Sequence, residues 1–270
     1  VPLLHYHQHQ LHYEQYGQGP KLLFCLHGIA GRGKLFEQVT KPMWEDYTIL
    51  SLDLPFHGDT VWEAELYDDV QIAEILQLLM QQQGQRQYSI MVHSMGGRVL
   101  LGILPHLAHQ IQRLYLFSPG GFQYVFTGSR IWWPLAARRW VRRRFEEPEG
   151  FVKILDAVAK LKLFERDFYL MLLQQVNTVA RRKRLLRSWA SLYYFDMRVT
   201  KKHRALLEQY QIPIHFFYGD RDSITPVRHA RQFMKKYPNA TLEIVSGDHF
   251  FVKEDLVVPF KVWYEQQNFE

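Results

Sequence analysis

Tyr88-Ser89-Ile90-Met91-Val92-His93-Ser94-Met95-Gly96-Gly97-Arg98 decides the fold of this 270-residue chain. An apolar run over Tyr88–Val92 has the length and β-branched content of a buried strand. Val99–Leu107 then carries the apolar density of a helix. Ser94 falls between the two, with small residues behind it. A serine on a tight strand-to-helix turn is lifted clear of the sheet edge. Gly96 and Gly97 let the following helix approach closely.

The same grammar repeats on both sides. Leu22–Leu26 is an apolar strand followed by His27-Gly28-Ile29-Ala30-Gly31, and Tyr47–Leu52 is a strand followed by Asp53-Leu54-Pro55-Phe56-His57-Gly58. Asp68–Met80 has helical spacing, with Gly84 past its end, and Ile111–Phe117 is a strand closed by Ser118-Pro119-Gly120-Gly121. From Phe122 to Thr200 the pattern is helical and basic, with no convincing strand. The alternation then resumes with strands at Ile214–Tyr218 and Thr241–Val245 and helices at Pro226–Tyr237 and Phe251–Tyr264. Alternating strands and helices predict a parallel sheet built from βαβ units. The expected organisation is a core of residues 1–120 and 201–270, interrupted by a helical insert at 121–200.

Four words follow strands directly: His27-Gly28-Ile29-Ala30-Gly31, Val92-His93-Ser94-Met95-Gly96-Gly97, Gly219-Asp220-Arg221-Asp222 and Gly247-Asp248-His249. A serine is a weak nucleophile until a base takes its proton. His249 is the candidate base, and Asp222 or Asp220 the candidate acid that orients it.

At these words the chain resembles the α/β-hydrolase superfamily over nearly its whole length, apart from the insert. The order Ser, Asp, His is that family's order. The resemblance implies a mostly parallel central sheet flanked by helices, with an all-helical cap inserted after the sixth strand. Its Gly-x-x-Asp spacing selects Asp222 over Asp220. It also implies an oxyanion hole made by the backbone N–H groups of Ile29 and Met95. His27, Gly28, Arg98, Trp132 and Trp133 are the expected substrate contacts. Asp53 and His57 are expected to stabilise their loop, and His93 to pack or hydrogen-bond beside the turn. One position departs from the family: Val92 stands where Gly or another small residue is usual, and its branched side chain is expected to crowd the turn.

The expected activity is cleavage of an ester or related acyl bond through an acyl-enzyme, on a small-molecule acyl substrate of anionic or amphiphilic character. No cofactor is expected. Two alternatives stand beside it. Ser94-Met95-Gly96-Gly97-Arg98 is similar to the elbow of the menaquinone-pathway synthase, a lyase acting on a carboxylated substrate. A non-catalytic pocket-binding protein is the other.

Composition narrows the remainder. Apolar residues are 47% and charged residues 22%, globular proportions that exclude disorder as the main state. The apolar runs fall short of the roughly 20 residues that span a bilayer. No signal peptide is expected, and one cysteine, Cys25, forbids an intrachain disulfide, so the expected compartment is the cytoplasm. Residues 121–200 hold 16 Lys+Arg against 7 Asp+Glu, while the whole chain carries +6. The insert is therefore the basic part, suited to an anionic substrate or membrane surface, and no nucleic-acid motif accompanies it. His5, His7, His9 and His12 invite a metal reading through shared strand faces. No carboxylate or cysteine joins them at ligand spacing, so no metal is expected. The Gln-rich first 20 residues read as polar surface.

Overall fold

The computed structural model describes residues 2–122, 173, 178–192, 195–196, 198–252 and 254–267. The chain divides into two compact units, Val1–Tyr124 with Ser191–Glu270, and Val125–Ala190. The expected insert falls mostly outside the described residues, as do Trp132 and Trp133. Of the second unit, the described part is mainly a helix, Val179–Ser191. Its exposed face carries Arg181, Lys183, Arg184 and Arg187, while Leu185 is buried.

The first unit is built on one eight-stranded sheet: β1 (Leu3–Tyr6), β2 (His9–Tyr16), β3 (Lys21–Leu26), β4 (Tyr47–Leu52), β5 (Tyr88–His93), β6 (Ile111–Phe117), β7 (Ile214–Gly219) and β8 (Ala240–Val245). The strand order is β1-β2-β4-β3-β5-β6-β7-β8. β1 and β2 pair antiparallel, as do β2 and β4, and every other pairing is parallel. β5 and β7 are buried at every residue, as strands covered on both faces must be.

The N-terminal reading needs correction. The first 20 residues are not simply polar surface: they form the β1–β2 hairpin, which buries Leu4, Tyr6, Leu11 and Tyr13. Alternation within the His/Gln-rich segment places apolar residues on one face. His7 occupies the turn at φ 51, so His5 and His9 lie on different strands. His9 stacks on Trp62 at 3.8 Å between centroids.

Helix α1 (Glu37–Thr40) is short; α2 (Asp69–Gln82) and α3 (Gly96–Leu107) follow. The start of α2 is set by a capping box in which Asp68 accepts from the Gln71 amide and the Gln71 side chain accepts from the Asp68 amide. Three helices complete the unit's C-terminal part: α5 (Lys201–Gln209), α6 (Arg228–Met234) and α7 (Glu254–Gln266), with Val179–Ser191 counted as α4. The core beside α7 is aromatic: Tyr115, Phe117, Phe217, Phe251, Phe260 and Trp263 form one buried cluster. Ser191 and Phe195 belong to the first unit, with the Ser191 hydroxyl taking the Tyr67 amide at 3.1 Å and Phe195 meeting the Tyr67 ring. Among the described residues, no helix is long and apolar enough to cross a membrane.

Candidate active site

The parallel strands β3, β5, β6 and β7 end side by side, and the loops that leave them carry the polar residues. This carboxyl edge is where open α/β sheets bind ligands. Ser94 leaves β5 at φ 49, a left-handed conformation that costs a non-glycine residue about 1 kcal/mol or more. Three backbone bonds hold it there. Its N–H donates to Phe117 O at 3.2 Å, and its carbonyl accepts from Gly97 at 2.9 Å and Gly120 at 2.7 Å.

The glycines behind Ser94 are required by contact. A Cβ on Gly96 would stand 2.2 Å from Leu26 O, and one on Gly97 would stand 2.5 Å from Gly120 O. Val92 does not disrupt the turn. It is wholly buried within β5, in register with Leu26 on one side and Leu116 on the other. It is a buried strand residue, two positions before Ser94.

Ser94 Oγ lies 2.8 Å from His249 Nε2, and His249 Nδ1 lies 2.9 Å from Asp222 Oδ2. Three residues from three separate loops thus form one hydrogen-bonded line. His249 and Asp222 are buried and Ser94 is half-buried. With Nδ1–H donated to the carboxylate, Nε2 is left free to accept the serine proton. Burial alone would raise the Asp222 carboxyl, but hydrogen bonds from His249, Ser118 and the Thr225 amide hold it below the ordinary carboxylate range. Asp220, the other candidate acid, is spent elsewhere: it accepts the Gly247 amide at 2.8 Å and stands 3.7 Å from Arg221.

His27 and Gly28 lie against this line. A Cβ on Gly28 would come within 3.0 Å of Ser94 Cβ and of His93 Nδ1, so only glycine brings the backbone this close. His27 Nδ1–H donates to Gly28 O at 2.7 Å, and its Nε2 accepts the Leu54 amide at 3.0 Å. Burial, then the neighbouring His57, push its imidazole down to about 3. It is a neutral brace between two loops. Gly31 N–H closes the turn onto Gly28 O, while the Ile29 and Met95 amides make no backbone hydrogen bond among the described residues. Arg98, in the first turn of α3, lays its stem beside Gly120 and Gly121, and burial lowers its guanidinium.

Asp53 serves the loop that carries His57. Its carboxylate accepts Gly33 N at 2.6 Å, Asp59 N at 2.9 Å and His12 Nδ1 at 2.7 Å. Among the described residues, His12, Asp53 and Asp59 are the grouping with metal-ligand atoms close together. This corrects the expectation that no carboxylate joins the N-terminal histidines: folding brings Asp53 onto His12 across 41 residues, and the same carboxylate also accepts the Gly33 and Asp59 amides. His12 therefore acts on the Asp53 loop, apart from His5 and His7.

Two contacts onto Asp222 were not foreseen from sequence, while His93 makes the hydrogen bond beside the turn that was expected of it. Ser118 Oγ donates to Asp222 Oδ2, and Thr225 Oγ1 donates to the same oxygen at 2.8 Å. His93 Nε2 lies 3.0 Å from the His249 carbonyl. The one local signal was Asp222-Ser223-Ile224-Thr225, an Asx-type turn in which the aspartate takes the Ile224 amide at 2.9 Å.

The sequence profile of the alpha/beta hydrolase fold matches residues 21–256. The pimeloyl-[acyl-carrier protein] methyl ester esterase of Chromobacterium violaceum is 25% identical, covering 85% of this chain and 86% of its own. An uncharacterized hydrolase of Bacillus subtilis, YugF, is 22% identical and covers 91% and 89%. Among solved structures, a thermophilic esterase from Thermogutta terrifontis superposes with a TM-score of 0.69 at 14% identity, covering 96% and 94%.

Proposed function

The chain belongs to the alpha/beta hydrolase family, and from that premise we propose that it is a serine hydrolase of carboxylic esters or related acyl compounds. The carrying observation is the line Ser94 Oγ, His249 Nε2, His249 Nδ1, Asp222 Oδ2, with 2.8 and 2.9 Å links, on a serine held at φ 49. Ser94 Oγ attacks the acyl carbon as His249 Nε2 takes its proton. The Ile29 and Met95 N–H groups stabilise the oxyanion, a term worth several kcal/mol in such sites. His249 then protonates the departing alkoxide, leaving the acyl group on Ser94. Water, deprotonated by His249, attacks the ester and releases the acid, and the proton returns to Ser94. Asp222 holds the Nδ1–H tautomer throughout and stabilises the imidazolium.

The segment 121–200 supplies substrate choice in this reading, and Trp132, Trp133 and Arg98 are the candidate substrate contacts. Its basic surplus suits an anionic or amphiphilic substrate or the surface that carries one. A reducing, cytoplasmic setting is part of this reading, and the buried free thiol of Cys25 is compatible with it.

The test is labelling by a fluorophosphonate probe beside hydrolysis of p-nitrophenyl esters of graded chain length. Wild type should label and hydrolyse, and Ser94→Ala should do neither. A folded wild type that neither labels nor hydrolyses would return the chain to a pocket-binding role.

A further inference from the structure

Asp222 has more donors than the orientation of one imidazole requires. Its Oδ1 accepts the Ile224 amide at 2.9 Å and the Thr225 amide at 2.8 Å. Its Oδ2 is shared by His249 Nδ1 at 2.9 Å, Thr225 Oγ1 at 2.8 Å and Ser118 Oγ. The Thr225 hydroxyl stands between both partners, with its oxygen also 3.2 Å from His249 Nδ1 and from Ser118 O. Ser118 reaches the site from the end of β6, at φ 42, with its own amide fastened to Phe217 O at 2.9 Å. A serine kept in the left-handed region, buried, with its hydroxyl on the carboxylate, is a costly arrangement unless that hydroxyl is needed.

We infer that Ser118 and Thr225 are positioning residues that share Asp222 Oδ2 with His249, keeping the carboxyl ionised and the imidazole in its Nδ1–H form under acid conditions. The inference rests on the serine-hydrolase reading, whose acid residue it concerns. A carboxylate buried this fully is stable as an anion only while its lone pairs are occupied. His249 supplies one donor, and it is the donor that moves during the reaction cycle. The two hydroxyls and two amides are fixed.

The charged and titratable surroundings do not duplicate this work. His93 faces the pair from the end of β5, and burial, then His249, push it down to about 3. Tyr218 on β7 is a phenol raised chiefly by burial. His229 on α6 is lowered by burial and by Arg228. Asp220 and Asp248 lie on the same rim and spend their carboxylates on the Gly247 and Phe250 amides.

Thr225→Val removes one hydroxyl while keeping shape and amide, and Ser118→Gly removes the other while suiting φ 42. Thr225→Ser keeps the hydroxyl as the control. The readouts are the rate of fluorophosphonate labelling of Ser94 across pH and the low-field Nδ1 proton resonance of His249. In each hydroxyl-less variant, labelling should fail on the acid side about half a pH unit earlier than in wild type, as Asp222 regains affinity for its proton. The double variant should shift by about one unit, Thr225→Ser should match wild type, and the resonance should move in step. Loss by one factor at every pH, with the acid limb and the resonance unmoved, would reduce both hydroxyls to packing and overturn the inference. If Ser118→Gly does not fold, Thr225→Val decides alone. A wild type that does not label overturns the hydrolase reading, while the resonance still decides whether Oδ2 is shared.

Discussion

His93 Nε2 stands 3.0 Å from the backbone carbonyl of His249, 156 residues along the chain. Their rings lie 5.3 Å apart. Burial, aided by His249, keeps His93 neutral, so it has one ring N–H to give, and Nε2–H donates it to the loop that carries His249. The strand that presents Ser94 therefore also holds the loop of His249, whose Nε2 lies 2.8 Å from Ser94 Oγ. His93→Phe fills the space without a donor and should lower kcat/KM roughly 10- to 100-fold, the value of a buried hydrogen bond of about 1–3 kcal/mol. His93→Gln, which can still donate, should recover part of it. Equal activity in the two variants would remove the role.

Ser94→Gly should separate stability from activity. The φ of 49 suits glycine, so the variant should unfold at higher urea, with a gain of up to about 1 kcal/mol. Its kcat should fall by roughly 10⁴ or more, the scale of nucleophile loss in triads. A variant that loses stability would show that the turn carries no strain.

Asp222→Asn should be far more damaging than Asp220→Asn. An amide at 222 offers His249 Nδ1 a donor as readily as an acceptor and favours the wrong tautomer. Asp220 caps the Gly247 amide at 2.8 Å, so its loss should cost stability by about 1 kcal/mol and little rate. Ester hydrolysis by both purified variants decides it, and the reverse order would exchange their assignments.

Gly96→Ala should be among the worst small substitutions in the chain. The new Cβ would meet Leu26 O at 2.2 Å, and backbone cannot step aside like a flexible side chain. A loss of about 2–3 kcal/mol is expected, with labelling of Ser94 lost as the loop after β3 is displaced. Gly84→Ala is the comparison. Gly84 has φ 64 but open space around it, so it should cost only the backbone term of about 1 kcal/mol.

Acid should destabilise the fold well before carboxylates protonate. Burial pushes His27 and His93 down to about 3 and His215 to about 4. Their unfolded value is about 6.5, so between these limits the unfolded chain binds more protons and stability falls as pH falls. Each should contribute about 1.4 kcal/mol per pH unit in that window. Asp53 and Asp222, both held low, add their loss only at lower pH. Urea unfolding from pH 7 down to about 4.5 measures the slope, and His215→Gln should make it shallower by one such increment. A flat profile would mean that these rings protonate in the folded state.

Much of the site was legible because its words stand next to the strands that present them. Ser94, Asp222 and His249 each follow an apolar run by a few residues, and a parallel strand delivers whatever follows it to the same edge of the sheet. The β1–β2 hairpin was less legible. Its histidines and glutamines mask an alternation that becomes meaningful only once one face is covered.

The sequence by itself determined the order of strands and helices, the turn at Ser94 and the candidacy of Ser94 and His249. All of these are properties of local pattern, set by period, glycine placement and neighbours within a few positions. Only the tertiary structure decided which carboxylate meets His249, that Ser118 shares its oxygen, and that His93 holds the His249 loop. Those contacts join residues 27, 104 and 156 positions apart. Their distances depend on the register of β5, β6 and β7 and on close backbone approach at glycines, which a linear pattern does not encode.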